Sequence, residues 1–230
     1  MVSFTLSFLT RVVFPAQCHH CSTLLSPVEQ SLCQICIASL PRPTIINSLR
    51  LKMLGTSIGV RFSAALTFDH PVQLLCYKLK YGGNYPLGLS LGQRILAPHL
   101  LERTEAQSML LCPIPIHPRR LRRRGYNQSL ALARGCALGL KAGGRNATVV
   151  ELLEKSGERQ SQIEFDQYTR WGNASGAFRP KKNQRAPGGA LVVLIDDTVT
   201  TGASLLSAAE ALLQQDPDLD LYLLALAQEA

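Results

Sequence analysis

The chain has 230 residues, 46% hydrophobic and 17% charged, a balance that supports one sizeable core and excludes wholesale disorder. No run approaches the roughly 18 uncharged apolar residues of a membrane-spanning helix, so a protein without a membrane span is expected. Net charge is +8, and five arginines crowd residues 119–124, so an anionic ligand such as phosphate, diphosphate or nucleic acid is implied.

The chain opens on "MVSFTLSFLTRVVFPAQC". Arg11 interrupts the apolar run, and neither a basic leader nor a small-residue cleavage site accompanies it, so residues 3–13 are read as a short amphipathic helix rather than a secretory signal. Next come two Cys-x-x-Cys pairs, Cys18 with Cys21 and Cys33 with Cys36, separated by eleven residues. Paired spacing of this kind supplies four thiolates, a set suited to a structural Zn2+ ion; an iron–sulfur centre is the alternative, and nothing favours it. His19 and His20, inside the first pair, are read as surface residues. Residues 1–45 thus form a helix and a metal-held module, closed by "PRPT", and residues 46–230 a second unit. Cys76, Cys112 and Cys136 sit among apolar neighbours and read as core residues of a reduced, cytoplasmic protein.

Beyond residue 45, strand and helix patterns alternate. "VRFSAALTF" reads as a strand, and "PVQLLCYKLKYGG" as a helix running from Pro71 to the glycine pair. "YPLGLSLGQRILAPHLL" is a further helix, and "SMLLCPIPIHP" a buried strand ended by prolines. Asn127 caps the helix "QSLALARGCALGLKA". Residues 154–185 are polar, with few apolar anchors, and are expected to contain a loop that orders on binding. The strand "ALVVLI", the helix "SLLSAAEALLQQ" and the strand "LYLLALA" complete the chain. The expected fold is α/β, with a mainly parallel sheet flanked by helices.

Two segments carry chemistry. In "LVVLIDDTVTTGAS", a strand delivers Asp196 and Asp197 to a sheet edge, where α/β proteins bind ligands. Thr198, Thr200, Thr201, Gly202, Ala203 and Ser204 follow, with hydroxyl donors and the free N–H groups of a helix start. The carboxylates suit the hydroxyls of a sugar and the turn suits its phosphate. The plain alternative is a strand–turn–helix in which Asp and Thr only cap. In "HPRRLRRRGYNQ", Arg119, Arg120 and Arg124 offer planar guanidinium groups suited to a diphosphate, against the alternative of a solvated basic face or nucleic-acid patch.

Both segments resemble known patterns. Two acidic residues, two variable ones and Thr-Thr-Gly-x-Ser behind an apolar strand resemble the phosphoribosyl-diphosphate (PRPP) motif of type I phosphoribosyltransferases. Pro113-x-Pro115, His117-Pro118-Arg119-Arg120 and Arg124-Gly125-Tyr126-Asn127-Gln128 resemble the ComF/GntX family of phosphoribosyltransferase-like competence proteins. Phe14-Pro15 before the first cysteine pair also resembles that family, as does the spacing of Gln162, Arg170, Asn173 and Phe178. The resemblance implies a type I phosphoribosyltransferase-like fold, with Asp196 and Asp197 on the ribose and, in the turn behind them, Thr200 to Ser204 on the 5′-phosphate. The resemblance further implies Arg119, Arg120, Arg124 and Lys80 on the diphosphate, Arg170 in a closing loop, Mg2+ accompanying PRPP, and structural zinc. It also implies single-stranded DNA or the DNA-uptake and helicase machinery as partners. Lys155 and Gly157 stand where the family commonly has arginines, and Ala227-Gln228 where Ala-Arg is common.

Overall fold

The computed structural model describes residues 15–26, 29–43, 60–156, 177–182 and 184–229. The expected N-terminal helix, Arg170, Gln162 and Asn173 lie outside them. Chain order is α1 (Gln34–Ser39), β1 (Arg61–Thr67), α2 (His70–Tyr81), α3 (Tyr85–Leu91), a π-turn (Gly92–Leu96), α4 (Ala97–Leu101), β2 (Ser108–Pro113), α5 (Pro118–Arg124), α6 (Gln128–Ala142), β3 (Asn146–Val149), β4 (Leu153–Lys155), β5 (Phe178–Pro180), β6 (Leu191–Val199), α7 (Ala203–Gln215) and β7 (Leu221–Gln228).

Five strands form one parallel sheet in the order β1-β7-β6-β2-β3, as the alternating sequence pattern requires. Alternate residues of β6 feed two cores. Leu191, Val193 and Ile195 pack with α2, α3, α4 and α6 on one face, while Val192 and Leu194 pack with α7 on the other. A strand buried on both faces must be apolar throughout, which is why "LVVLI" shows no alternation.

Connections leave β2 and β6 in opposite directions. From β2 the chain passes through α5 and α6 to β3 on one side; from β6 it passes through α7 to β7 on the other. Right-handed crossovers then put α6 and α7 on opposite faces. The gap beyond the carboxyl ends of β2 and β6 is therefore the point where the sheet's winding reverses, and the fold leaves a crevice there.

The cysteine segment packs against this unit. Leu32, Ile37 and Leu40 are buried in the core shared by α2, α3 and α6. Lys78 Nζ donates to His19 O at 2.5 Å, Ser90 Oγ to Gln30 O at 2.7 Å, and Arg94 Nη1 to Leu32 O at 2.5 Å.

Several elements differ from the sequence reading. The helix expected over residues 85–101 contains a π-turn at Gly92–Leu96. There the backbone runs against α6 so closely that a Cβ on Gly92 would lie 2.1 Å from Leu132 O. The arginine segment, to which no element was assigned above, is the helix α5, because Pro118 suits a first helical position and Gly125 closes it at φ 79°. The polar stretch 154–185 is not all loop. Glu154 pairs with Arg179 and Lys155 with Phe178 in an antiparallel ribbon, fixed where Leu153 and Phe178 enter the core. The strand "ALVVLI" also runs further than its apolar part, to Val199.

Candidate functional site

The site grows from the last turn of β6. Asp196 and Thr198 are still in register with β7, opposite Ala225 and Ala227, so sheet hydrogen bonding holds the aspartates rather than a loose turn. On the β2 side, Pro113 is the last residue in register, opposite Ile195, and Ile114 N–H donates to Ile195 O at 2.9 Å. Beyond that bond the two chains diverge and open the crevice.

The two carboxylates have different surroundings. Asp196 Oδ1 accepts from Asp197 N–H at 2.8 Å and from Ser129 Oγ at 3.1 Å. Burial, and then the charge of Asp197, push the Asp196 carboxyl up to about 7, against those bonds and Lys80. Asp197 is more deeply buried, and its Oδ2 lies 3.2 Å from Lys80 Nζ. That contact is an ion pair without hydrogen-bond alignment, since Oδ2 is a buried acceptor with no hydrogen-bond partner among the described residues. Lys80 Nζ instead donates to Thr198 Oγ1, also at 3.2 Å. An unsatisfied buried carboxylate oxygen marks a place where a ligand hydroxyl or a water would bond.

Behind the aspartates, Gly202 takes φ 78° and begins α7 with no side-chain cap. The capping position itself is held by glycine rather than by Asp or Thr. Thr201 Oγ1 accepts only a long bond from Ala203 N–H at 3.4 Å. The segment from Thr200 to Leu205, with Asp196, Thr198 and Val199, lines a hollow of about 60 Å³. The start of a 13-residue helix faces it, and its N–H groups favour an anion by roughly 0.3–1 kcal/mol. A larger hollow, of about 250 Å³, lies at the far end of α7 between Leu152, Arg185 and Pro217. It contains none of the chemistry-bearing residues, so its size does not make it the site.

From the β2 side come α5 and Tyr126. Arg119, Arg120, Arg122 and Arg123 are exposed on α5, while Arg124 is half-buried. The Arg124 guanidinium lies 5.4 Å from the Tyr81 ring centre, and its Nε is buried with no hydrogen-bond partner among the described residues. Tyr126 donates to Leu79 O, which ties the end of α5 to α2 and so to Lys80. Asn127 Nδ2 donates to Ile114 O at 3.0 Å, while its Oδ1 accepts from Ser129 N–H at 3.0 Å. The Tyr-Asn pair thereby pins the β2 exit and sets Ser129 against Asp196.

Asp196, Asp197, Thr198 and Lys80 thus meet directly, with the Thr200–Ser204 turn behind them and Arg124 across the crevice. Arg119 and Arg120 sit on the rim. Ser129 and Lys155 had not been selected from the sequence. Ser129 follows directly on the Tyr-Asn-Gln segment, and that adjacency was the available signal. Lys155 interacts electrostatically with Arg120 and Asp196; burial, then Arg120, holds its ammonium below the usual lysine range. Only the β4–β5 ribbon brings it there.

The Sγ atoms of Cys18, Cys21, Cys33 and Cys36 all lie within 4.8 Å of one another. Cys21 and Cys33 Sγ are 3.8 Å apart, which matches the sulfur–sulfur edge of about 3.8 Å expected for tetrahedral zinc with bonds of ~2.3 Å. Backbone N–H groups of Cys33 and Cys36 donate to Cys18 and Cys33 Sγ, stabilising thiolates. The four cysteines could hold a metal ion such as zinc. His20 is not simply a surface residue, for its Nδ1 stands 3.2 Å from Cys36 Sγ.

Two curated proteins align with the chain through 157 residues at 26% identity, the DNA utilization protein YhgH of Salmonella typhimurium and that of Salmonella typhi. The chain is similar to DNA utilization proteins. The alignment takes in 67% of this chain and spans 66% of the length of those relatives. No protein-family model matches. Among the described residues, no helix is long and apolar enough to cross a membrane.

Proposed function

We propose that this chain is a ComF-type phosphoribosyltransferase-like protein that binds PRPP or a related sugar phosphate in the crevice beyond β2 and β6. The observation that carries this reading is the aspartate pair, one carboxylate tied to Ser129 and the other to Lys80, at the reversal of the sheet's winding. Asp196 and Asp197 would accept from the ribose hydroxyls, and the Thr200–Ser204 turn would bind the 5′-phosphate. Arg119, Arg120, Arg124 and Lys80 would face the diphosphate.

The reaction this arrangement fits is pentosyl transfer. The bond from the sugar's anomeric carbon to diphosphate breaks with its electron pair on the departing oxygen, and an acceptor attacks the oxocarbenium-like centre. Catalysis would come from positioning the sugar and from cations that meet the developing charge. Charge on the diphosphate would be further neutralised by the Mg2+ that accompanies PRPP. The cysteine cluster would hold structural zinc, with all four positions filled by thiolate. A cytoplasmic location agrees with the reduced cysteines this reading requires.

A second reading, single-stranded DNA or nucleotide binding without turnover, is favoured by the exposed arginines of α5 and by the DNA utilization relatives. It would place the chain beside DNA-uptake or helicase machinery.

Calorimetry with PRPP and Mg2+ tests the principal reading, with diphosphate release as the assay of turnover. Saturable binding that Asp197→Asn abolishes is the expected outcome. A wild-type protein giving no binding heat would overturn it.

A further inference from the structure

The pocket leaves unused the two tyrosines at the end of α2. Tyr77 and Tyr81 stand one turn apart on the same helix face, 62% and 55% exposed, with ring centres 5.0 Å apart and planes inclined at 43°. Adjacent aromatic rings left in water are unusual unless they serve a contact. The basic helix α5 meets the second of them, with the guanidinium carbons of Arg123 and Arg124 at 5.8 and 5.4 Å from the Tyr81 ring centre. Neither α2 nor α5 contains an acidic residue. The rim is thus a pair of exposed rings bordered by a dense cationic row, with Leu121 (43% exposed) adding apolar surface.

We propose that this rim binds single-stranded nucleic acid, with bases stacking on Tyr77 and Tyr81 and phosphates meeting Arg122 and Arg123. A duplex hides its base faces, so it could use the arginines but not the rings. An acidic peptide or polyphosphate would likewise engage only the cations. Interleaved rings and guanidinium groups reward a polyanion that also carries flat, unpaired faces. The rim adjoins the pocket, because Tyr81 follows Lys80 in sequence and touches Arg124. The inference rests on the DNA-binding reading above and needs no sugar phosphate in the pocket.

Fluorescence anisotropy on the full chain tests it, using a labelled 15-nucleotide oligothymidine, an abasic oligomer of equal length and the matching duplex. Oligothymidine should bind about tenfold more tightly than the abasic strand. Tyr77→Ala with Tyr81→Ala should remove that advantage and leave abasic binding unchanged, while Tyr77→Phe with Tyr81→Phe retains it. Arg122→Ala with Arg123→Ala should weaken both strands and flatten the log–log salt slope by about 1.4. Equal affinity for oligothymidine and abasic strand, equal affinity for the duplex, or indifference to the alanine pair would each overturn the rim assignment. Absence of any oligonucleotide binding would remove the DNA-binding reading itself. PRPP calorimetry on the tyrosine variants reports separately on the pocket, where no change is expected.

Discussion

Lys80 Nζ lies 3.2 Å from Asp197 Oδ2 and spans α2 to β6, elements more than a hundred residues apart in the chain. The same lysine reaches Thr198, so a single cation holds the end of the strand from which the pocket is built. Lys80 faces the pocket while Lys78, on the same last turn, bonds His19 O in the cysteine cluster.

Removing Lys80 leaves Asp197 buried beside Asp196 without a counter-charge. Lys80→Ala should therefore cost about 2–3 kcal/mol of stability, at or below the low end for a broken buried pair because Lys80 is partly exposed. Urea denaturation measures it. Unchanged stability would show that water already satisfies Asp197.

The Asp196 carboxyl should make stability fall as pH rises. Its ordinary value is 3.8 and its folded value about 7. Any stabilisation from protonated Asp196 is complete below the unfolded value and is lost as pH climbs through the folded one. Asp196→Asn should then raise Tm at pH 8 and change it little at pH 5. Equal shifts at both pH values would count against the assignment.

His99 works in the opposite sense. It is buried, with Nε2 2.9 Å from Ser63 Oγ, and Ser63 Oγ also accepts from Tyr222 OH at 2.9 Å. Burial, followed by Arg103 and Arg42, lowers its pKa from 6.5 to about 4. A neutral buried histidine contributes stability above the unfolded value that is lost as pH falls from 6.5 toward 4. His99→Gln should flatten the stability profile across that window, as read by denaturation at several pH values; an unaltered acid limb would refute this.

Metal removal should loosen the cluster and the end of α2 together. Chelation, or Cys33→Ser, is expected to remove bound metal and lower Tm by about 10 °C or more, given the binding energy of four-thiolate zinc sites. Hydrogen exchange at residues 78–81 should quicken because Lys78 loses His19 O as an ordered partner. A metal-free protein with unchanged Tm and exchange would contradict both expectations.

Close backbone contact between α3 and α6 gives a packing test. A Cβ on Gly135 would lie 2.0 Å from Leu89 O, whereas one on Gly188 meets nothing within 4 Å. Gly135→Ala should destabilise by about 3 kcal/mol and Gly188→Ala by no more than roughly 0.5 kcal/mol. Similar effects at both positions would be inconsistent with this packing.

Much of the fold was legible because local chemistry and burial agreed. Apolar runs marked β2, β6 and β7, and Pro71, Gly82 and Asn127 marked helix ends by conformational restriction and hydrogen bonding. The ribbon was not legible. Lys155 and Phe178 meet only by pairing across more than twenty residues, and neither short strand has a period long enough to register. The helix α5 was hidden for another reason, since a row of arginines has no apolar face to display.

For the candidate site, the sequence alone determined which groups are available. Asp196 and Asp197 at a strand end, the Thr-Thr-Gly turn, the arginine row and the paired cysteines are covalent facts with local consequences. Tertiary structure alone decided which of them meet, through the opposite windings from β2 and β6. It set Ser129 on one carboxylate and Lys80 on the other, and its burial of Asp196 raises that carboxyl's proton affinity. It also joined Tyr81 to the arginines of α5. Charge and stacking act over a few ångströms, and the sheet order, not chain position, determines which residues come that close.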